Sequence, residues 1–421
     1  MRGFKVLVLC LVFLLVASLA IAGEVDVLTK KLVEKGILTA EEAKAVLADT
    51  KESVKKQLAD GKLDSVPAWA QNTKFSGDLR FRFENRNFTQ KDNKDISKNR
   101  ERIRFRYGFT TKVSDKITVG ARLATGSDTQ NNSNEQTLDN AFGKRAIWLD
   151  LAYLDYKFNK NLKLLGGKFA NPFYRTSEII WGAALNPEGG ALQYTKTVKP
   201  AGYPANIDLF VNAGILPLDT DTRINPIIYA LQGGAATNVF DRKLKTAVAY
   251  YYFAGIENST RTALFVTAGD SSGNTLTGGK YLYDYHVLDV NAEYPLLDIK
   301  LLGRVLPLGI YGNYVKNVAQ YVKKDSAWLG GFKLGAAKDP GTWDFSYSYR
   351  RVESDATLDF INDASFHASG TNAKGHLFSL NYIPSKNTTL TLNYFNTERA
   401  QKLRTAGEEL NRLQLEYLVK F

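Results

Sequence analysis

Arginine side chains at alternate positions are the groups whose type and spacing could do chemistry in this sequence. Seven of them share one phase of the first strand-like segments: Arg80, Arg82, Arg86, Arg102, Arg104, Arg106 and Arg122. Residues two apart in an extended chain point to the same face. Such a row of cations is costly in a dry core but tolerable beside water at physiological salt. The spacing therefore predicts a basic wall that lines a water-filled lumen and attracts anions. The alternative is a solvated wall balanced by carboxylates such as Asp78, Glu84 and Asp344.

Catalytic chemistry has few candidates in this chain. A hydrolytic centre needs a His beside a Ser or an Asp, and the three His residues, His286, His367 and His376, are expected at strand rims or in a loop. The run 269–274 fails the spacing of a calcium loop. The sequence therefore predicts no catalytic residues, no metal site, no cofactor and no enzyme. A barrel enzyme such as a phospholipase is the less favoured alternative.

The composition suits strands that face lipid on one side and water on the other. The 421 residues include 22 Tyr, 23 Phe and 33 Gly, with a hydrophobic fraction of 44% and a mean hydropathy of −0.25, which excludes a bundle of membrane helices. The formal net charge of +12 would also suit a nucleic-acid binder. Because Lys and Arg are spread along the strand-like segments, nucleic acid is not an expected partner.

The first residues have the pattern of a secretory signal. Arg2 and Lys5 precede an apolar run over 6–19, and 20–22 reads Ala-Ile-Ala. This pattern predicts a signal peptide over 1–22 that is cleaved before Gly23, and the alternative is a retained membrane anchor. The only cysteine, Cys10, lies inside this segment. The mature chain would therefore lack thiols, and no lipoprotein is expected.

Residues 23–66 have a helical pattern. Apolar residues recur there at spacings of three and four, and Thr39 with Glu42 forms a capping box. The segment could be a periplasmic coiled coil that supports oligomerisation, a contact to the cell wall, or a helical spacer. Residues 67–74 are expected to link it to the next domain.

From residue 75 to residue 421 the apolar pattern has a period of two. About sixteen such segments occur, over 75–87, 99–113, 116–126, 145–158, 162–169, 189–197, 205–215, 226–234, 242–253, 283–294, 303–315, 327–337, 342–353, 374–383, 388–398 and 409–421. In 145–158 the phase slips between Leu151 and Ala152, which predicts a bulge. With no helix to cover a sheet, the repetition predicts an all-β fold, a transmembrane antiparallel β-barrel of about sixteen strands.

The connections between these segments alternate in length. Tight connectors such as 114–115, 159–161, 338–341 and 384–387 follow every second segment, and longer polar loops fill the other gaps. Outer-membrane barrels place short turns on the periplasmic side and long loops outside. The third outer loop, 170–188, could fold into the lumen so that Glu178 and Glu188 face the arginines across a constriction. The alternative places this loop at the rim or at an oligomer contact.

The last segment ends on an aromatic residue. Leu413, Leu415, Tyr417, Val419 and Phe421 alternate with polar residues. This pattern resembles the C-terminal strand that outer-membrane proteins present to the barrel-assembly machinery. Tyr417 and Phe421 are therefore expected to act as the insertion signal.

Several motifs resemble the family of putative porins of Gram-negative bacteria. They are the run 167–173 (GKFANPF), Trp181, the run 185–189 (LNPEG), the run 370–375 (GTNAKG), the helical segment and the opening 77–80 (GDLR). The resemblance implies an outer-membrane porin for passive diffusion of small hydrophilic solutes, in contact with outer-membrane lipids and lipopolysaccharide. It also implies a homotrimer and leaves the solute open. A structural tether to the cell wall is the alternative function.

Overall fold

The computed structural model describes residues 27–59, 68–89, 95–127, 130–219, 225–260, 273–301, 303–400 and 409–421. The expected signal peptide, 1–22, lies outside these residues. The chain divides into two compact units, Met1–Thr73 and Lys74–Phe421.

The first unit is helical over its described residues. Helix α1 includes 27–34, α2 is Ala40–Ala59 and α3 is Ala68–Gln71. The capping box is present, because the Thr39 N–H donates to the Glu42 carboxylate (2.8 Å) and the Glu42 N–H donates to the Thr39 hydroxyl (3.2 Å). The segment expected as a linker contains α3 and the start of the first strand. None of the helices in the described ranges is long and apolar enough to cross a membrane.

Sixteen long strands, counted over the described residues, make up most of the second unit. They are β1 (Thr73–Thr89), β2 (Asp95–Lys112), β3 (Ile117–Thr125), β4 (Ile147–Lys157), β5 (Leu162–Lys168), β6 (Glu188–Val198), β7 (Ile207–Pro217), β8 (Ile227–Val239), β9 (Arg242–Ala254), β10 (Tyr285–Leu301), β11 (Arg304–Asn317), β12 (Ser326–Gly335), β13 (Trp343–Val352), β14 (Ala373–Tyr382), β15 (Thr388–Arg399) and β16 (Glu409–Lys420). Each of them matches one segment of period two, so the predicted strand order is confirmed.

Backbone pairing closes these strands into a barrel. Each strand pairs with its neighbours along the chain, and β1 also pairs antiparallel with β16, with Arg82 opposite Glu416. Beyond the ends of this ladder, the Gly77 N–H donates to the Phe421 carbonyl (2.8 Å) and the Phe421 N–H donates to the Gly77 carbonyl (3.0 Å). In the described part of the chain, closure therefore gives each long strand a paired neighbour on both sides. The fold is therefore the predicted closed antiparallel barrel of sixteen strands.

The two faces of the barrel wall differ in chemistry. On β1, Phe81 and Phe83 are exposed, whereas the alternate residues Asp78, Arg82 and Glu84 are buried inside. The same outward phase presents aromatic and aliphatic side chains on many other strands, including Tyr107, Leu192, Tyr229, Val248, Ile310, Trp328, Tyr394 and Leu415. An apolar exterior around a polar interior suits a wall that faces lipid.

The bulge that the sequence predicts near Leu151 lies one residue earlier in the structure. Arg122 pairs with Leu151 and Leu123 pairs with Leu149, so Asp150 is the extra residue of β4. The bulge turns the Asp150 side chain inward, where its carboxylate accepts a hydrogen bond from Arg122 Nε at 2.6 Å.

The four longest connections all follow odd-numbered strands and therefore leave the same end of the barrel. They are L2 (126–146), L3 (169–187), L5 (255–284) and L7 (353–372), where L2 and L5 each include residues outside the described ranges. Much of L3 and L7 is buried. L3 and L7 therefore fold into the barrel interior rather than extending from its rim.

We expect the seam between β1 and β16 to depend on Phe421 and Gly77. A Cβ on Gly77 would lie 2.6 Å from the Arg106 carbonyl oxygen and from the Phe421 ring. Gly77→Val should therefore cost about 2 kcal/mol by overpacking, and deletion of Phe421 should slow membrane insertion. Both should lower the amount of heat-modifiable barrel on gels. Gly330→Val, at a site with open space around the glycine, is the matched control, and equal barrel levels in all variants would contradict the assignment.

The orientation in the membrane can be tested at two fully exposed positions. Phe142, in L2, and Asp115, in the turn between β2 and β3, both project into solvent. A membrane-impermeant maleimide on intact cells should label Phe142→Cys and spare Asp115→Cys. The reverse pattern would mean that the barrel is inverted. Asn274 in L5 is a poorer probe because it is buried against L7.

Candidate functional site

Loop L3 lies inside the barrel on an apolar base. Phe169, Phe173, Ile179 and Trp181 are almost fully buried, and the Phe173 ring packs edge-on against Tyr251 of β9 at 5.5 Å between centroids. The cluster continues through small inward residues of the wall and apolar residues of L7: Ala191, Ala230, Ala249, Ala327, Ala356, Leu358, Phe360 and Ile361. One sector of the lumen is therefore filled by the packed apolar side chains of L3 and L7.

Amide side chains on the inner wall fasten L3. Gln232 accepts a hydrogen bond from the Tyr174 N–H (2.7 Å) and donates one to the Tyr174 carbonyl (2.8 Å). The Asn291 carbonyl oxygen accepts from both the N–H and the hydroxyl of Thr176, each at 2.9 Å. The Ser177 hydroxyl donates to Asn313 at 2.6 Å. The path of L3 is therefore set by polar groups on β8, β10 and β11.

Loop L7 crosses L3 at close range. The Gly182 N–H donates to the Ile361 carbonyl at 2.7 Å, and the Asp363 N–H donates to the Glu178 carbonyl at 3.2 Å. A Cβ on Gly182 would lie 2.7 Å from the Asn362 carbonyl oxygen, so the approach requires glycine. Asn132 of L2 donates to the same carbonyl at 2.9 Å. Three loops thus meet inside the barrel.

A polar cavity of about 310 Å³ remains beside this meeting point. Its charged lining comes from β1, β2, β13, β16 and loops L2, L3 and L7: Arg80, Arg82, Arg104, Arg106, Glu135, Glu178, Arg350, Asp363 and Glu416. The cavity lies between the arginines of β1 and β2 on one side and the polar ends of L3 and L7 on the other. It is the candidate functional site.

Carboxylates hold the arginines of this wall. Arg80 forms ion pairs with Glu135 and with Glu416 (3.0 Å), and Arg82 pairs with Glu416 at 2.7 Å. One carboxylate, Asp78, serves both Arg104 and Arg106, each at 2.7 Å. The sequence-predicted arginines are therefore brought together as part of a network and not as an isolated strip.

Three of the expected arginines lie inside the barrel but not on this cavity. Arg86 is 3.4 Å from Glu84, Arg102 donates to the Glu135 carbonyl at 3.0 Å, and Arg122 pairs with Asp150. Glu84 is completely buried and also contacts two arginines that sequence reasoning missed, Arg100 (2.7 Å) and Arg412 (3.7 Å). Arg412 shares the inward phase of β16, and this signal was available in the sequence.

The two loop carboxylates expected at the constriction have different positions. Glu178 lines the cavity with the arginines. Glu188 begins β6 with a side chain that is 61% exposed, pairs with Lys168 at 2.6 Å and does not line the cavity. The structure therefore does not bring Glu188 to the arginine wall. Glu135 of L2 takes a place beside the arginines instead, and no periodic pattern in the sequence marks it.

Glu178 lies in a setting that disfavours its charge. Burial raises the pKa of the Glu178 carboxyl to about 7, and the Asp363 carboxylate adds to this effect. The Ala183 N–H, which donates to Glu178 Oε2 at 2.9 Å, and the guanidinium groups of Arg350 and Arg175 offset part of it. Glu178 therefore changes charge near neutral pH.

The histidines are separated from one another. His286 Nδ1 shares a hydrogen bond with the Tyr250 hydroxyl (2.8 Å), and His376 Nδ1 shares one with the Tyr347 hydroxyl (2.9 Å). Burial in L7, together with Arg399 and Arg412, lowers the pKa of His367 to about 3. Within the described ranges no cluster of three or more His, Cys, Asp or Glu residues could hold a metal ion.

Comparison with known proteins gives one family and several solved structures. A family model described as "putative porin" matches residues 91–282 and 283–421. No curated protein matches the chain. OprB of Pseudomonas putida, in its high-pH structure, is 12% identical with a TM-score of 0.53 over 87% of this chain and 96% of that chain. OmpF of Salmonella typhi, in a complex with daunomycin, is 14% identical with a TM-score of 0.49 over 83% and 97%. At such identities the likeness to OprB shows the fold alone.

We expect the Asn291 amide to hold L3 against the wall. Asn291→Ala removes the acceptor of two hydrogen bonds, each worth about 1 kcal/mol, and should let larger uncharged sugars cross in proteoliposome swelling assays. Asn85→Ala is the matched control, since Asn85 bonds Asn99 and Ser97 and does not contact L3. An unchanged size limit in a folded Asn291→Ala barrel would contradict this role.

Proposed function

We propose that this chain, which belongs to the putative porin family and is an outer-membrane porin, passes small hydrophilic solutes by passive diffusion and prefers anions. The observation that carries the proposal is the polar cavity walled by Arg80, Arg82, Arg104 and Arg106. Diffusion needs a wet path, and another sector is filled by the apolar base of L3 and L7. The arginine side is therefore the route we assign to solutes.

The charge balance of this wall supports anion preference. In the described part of the chain, three neighbouring sets of ion pairs and hydrogen bonds hold eight guanidinium groups with four carboxylates. Asp78 binds Arg104 and Arg106; Glu135 and Glu416 bind Arg80, Arg82 and Arg102; and Glu84 binds Arg86, Arg100 and Arg412. Arginine keeps its proton at any working pH. The excess positive charge in a narrow lumen should raise the local concentration of anions. The carboxylates reduce this field without cancelling it.

The surroundings of the pore follow from the same assignment. We expect the exposed apolar band of the wall to contact outer-membrane lipids and lipopolysaccharide, and Tyr417 and Phe421 to be read by the barrel-assembly machinery. We further expect the signal peptide, 1–22, to be removed. The helical segment, 23–66, should lie in the periplasm and contact the cell wall or other copies of the chain. Residues 67–74 should link this segment to the pore, which 75–421 should form. A homotrimer remains the expected assembly.

The selectivity can be measured in planar bilayers. Replacing Arg102, Arg104 and Arg106 together by Gln removes three cations and leaves Asp78 without its partners. The reversal potential in a salt gradient should move toward cation preference at low salt. The shift should shrink in molar salt, where the screening length is about 3 Å.

The control variant also loses three positive charges, but at positions away from the cavity. Lys112, Lys116 and Lys160 lie at or beside exposed turns between strands, and their joint replacement by Gln should leave the reversal potential nearly unchanged. An unchanged potential in a folded triple arginine variant would mean that this wall does not line the conducting path. Absence of any conductance in the wild-type protein would overturn the pore itself.

A further inference from the structure

The cavity has two charged sides of opposite character. The side formed by β1, β2 and β16 carries Arg80, Arg82, Arg104 and Arg106, and the side formed by L3, L7 and β13 carries Glu178, Asp363 and Arg350. On the first side guanidinium groups outnumber the carboxylates that pair with them. On the second side there are two carboxyl groups and one guanidinium, and only Asp363 forms an ion pair with it. A solute in the cavity therefore lies between a positive and a negative wall.

The positive side keeps donors for a ligand. Arg104 and Arg106 use Nε and Nη2 on the single carboxylate of Asp78. This pair of arginines thus keeps one net positive charge beside the cavity. Arg82 Nε has no hydrogen-bond partner in the described part of the chain, although its side chain is only 8% exposed. Because this buried Nε lacks a partner, the positive side holds more donor capacity than its carboxylates use.

The negative side is centred on Glu178. Arg350 donates to the Asp363 carboxylate at 2.8 Å and its guanidinium lies 4.0 Å from the Phe366 ring centroid, so Arg350 is held by L7. The other oxygen of Asp363 accepts from the Ser365 N–H at 2.7 Å. No cation among the described residues lies within ion-pairing distance of Glu178, whose carboxylate accepts a hydrogen bond from the Ala183 N–H. Glu178 is therefore the carboxyl group with which a cationic ligand atom would form an ion pair.

We propose that this cavity is a binding subsite for a small zwitterion of the α-amino-acid type, with its carboxylate against Arg104 and Arg106 and its ammonium group at Glu178. The proposal rests on the proposed function and names a solute class for the same pore. The volume of about 310 Å³ is about ten times the ~30 Å³ that one water occupies in the liquid, which is enough for such a molecule.

The two walls discriminate between classes of solute. A plain anion would satisfy the arginines but place a negative group near Glu178 and Asp363, and a plain cation would face the arginines. An uncharged solute would gain neither ion pair. A zwitterion places each charge against its opposite, so it gains on both sides.

The protonation state of Glu178 gives the proposal a pH signature. Burial and the Asp363 carboxylate raise the Glu178 pKa to about 7. The guanidinium groups of Arg350 on β13 and Arg175 on L3 act in the opposite direction and lower it in part. The carboxyl is therefore mostly neutral at pH 6 and mostly charged at pH 8, whereas an α-amino acid stays zwitterionic over this range. Binding of the ammonium group should strengthen from pH 6 to pH 8.

The test compares two isomers in proteoliposomes that contain the full-length barrel. L-alanine is zwitterionic and lactamide has the same atoms without charge. At pH 8 and low concentration, alanine should enter about fivefold faster than lactamide, the ratio expected from one solvent-reachable ion pair. Alanine entry should saturate with concentration and lactamide entry should not. The alanine advantage should shrink at pH 6.

Variants assign the effect to the two walls. Glu178→Gln and, separately, Arg104→Gln should each bring the alanine rate close to the lactamide rate, and Glu178→Gln should also abolish the dependence on pH. Glu188→Gln, which removes a carboxyl from the end of the same loop region outside the cavity, should behave as wild type. Heat-modifiability on gels reports that each variant is folded.

The outcomes separate this inference from the proposed function. Equal entry of alanine and lactamide through a barrel that conducts ions would overturn the zwitterion subsite and leave the porin in place. A faster rate for acetate than for alanine, with no effect of Glu178→Gln, would overturn it in favour of a plain anion site. Absence of both ion conductance and solute entry would overturn the proposed function.

Discussion

Every backbone N–H and C=O group that crosses a bilayer must find its partner within the protein, because hydrocarbon offers none. In this chain the requirement is met by antiparallel pairing of each strand with two neighbours and by the junction of the first strand with the last. The exchange of hydrogen bonds between Gly77 and Phe421 extends the seam to the final residue. Once the wall is closed, strand geometry sends alternate side chains inward, and the interior must accommodate them.

The interior accommodates these side chains in two ways. Small buried residues such as Ala191, Ala230 and Ala249 leave room on β6, β8 and β9, and L3 fills that room with Phe173 and Trp181. On β1 and β2 the inward residues are long arginines, which need water or carboxylates and therefore keep apolar loops away. The distribution of small and charged inward residues around the barrel decides where the loop packs and where the cavity remains.

The wall could be predicted from the sequence, and much of the interior could not. Period-two alternation is a local property, so it located the strands, the inward phase of Arg80 and Arg104, and the bulge to within one residue. The bonds of Gln232 and Asn291 to L3 join residues far apart in the chain, and nothing local distinguishes these amides from other inward polar residues. Glu135 was missed for the same reason, because it reaches the arginines from an irregular loop. Glu188 was misplaced because it belongs to a strand, whose geometry turned it away from the lumen.

The ion pairs across the seam also specify its alignment. Arg82 lies directly opposite Glu416, and Arg80 reaches the same carboxylate at 3.0 Å. A slip of β16 by two residues along β1 would keep apolar side chains outside and polar ones inside, so burial alone would not prevent it. The slip would put Gln414 or Leu418 in the place of Glu416 and leave buried guanidinium groups without a counter-charge. The charges inside the barrel therefore select one register for the joining of the two chain ends, a specificity that the hydrophobic pattern cannot supply.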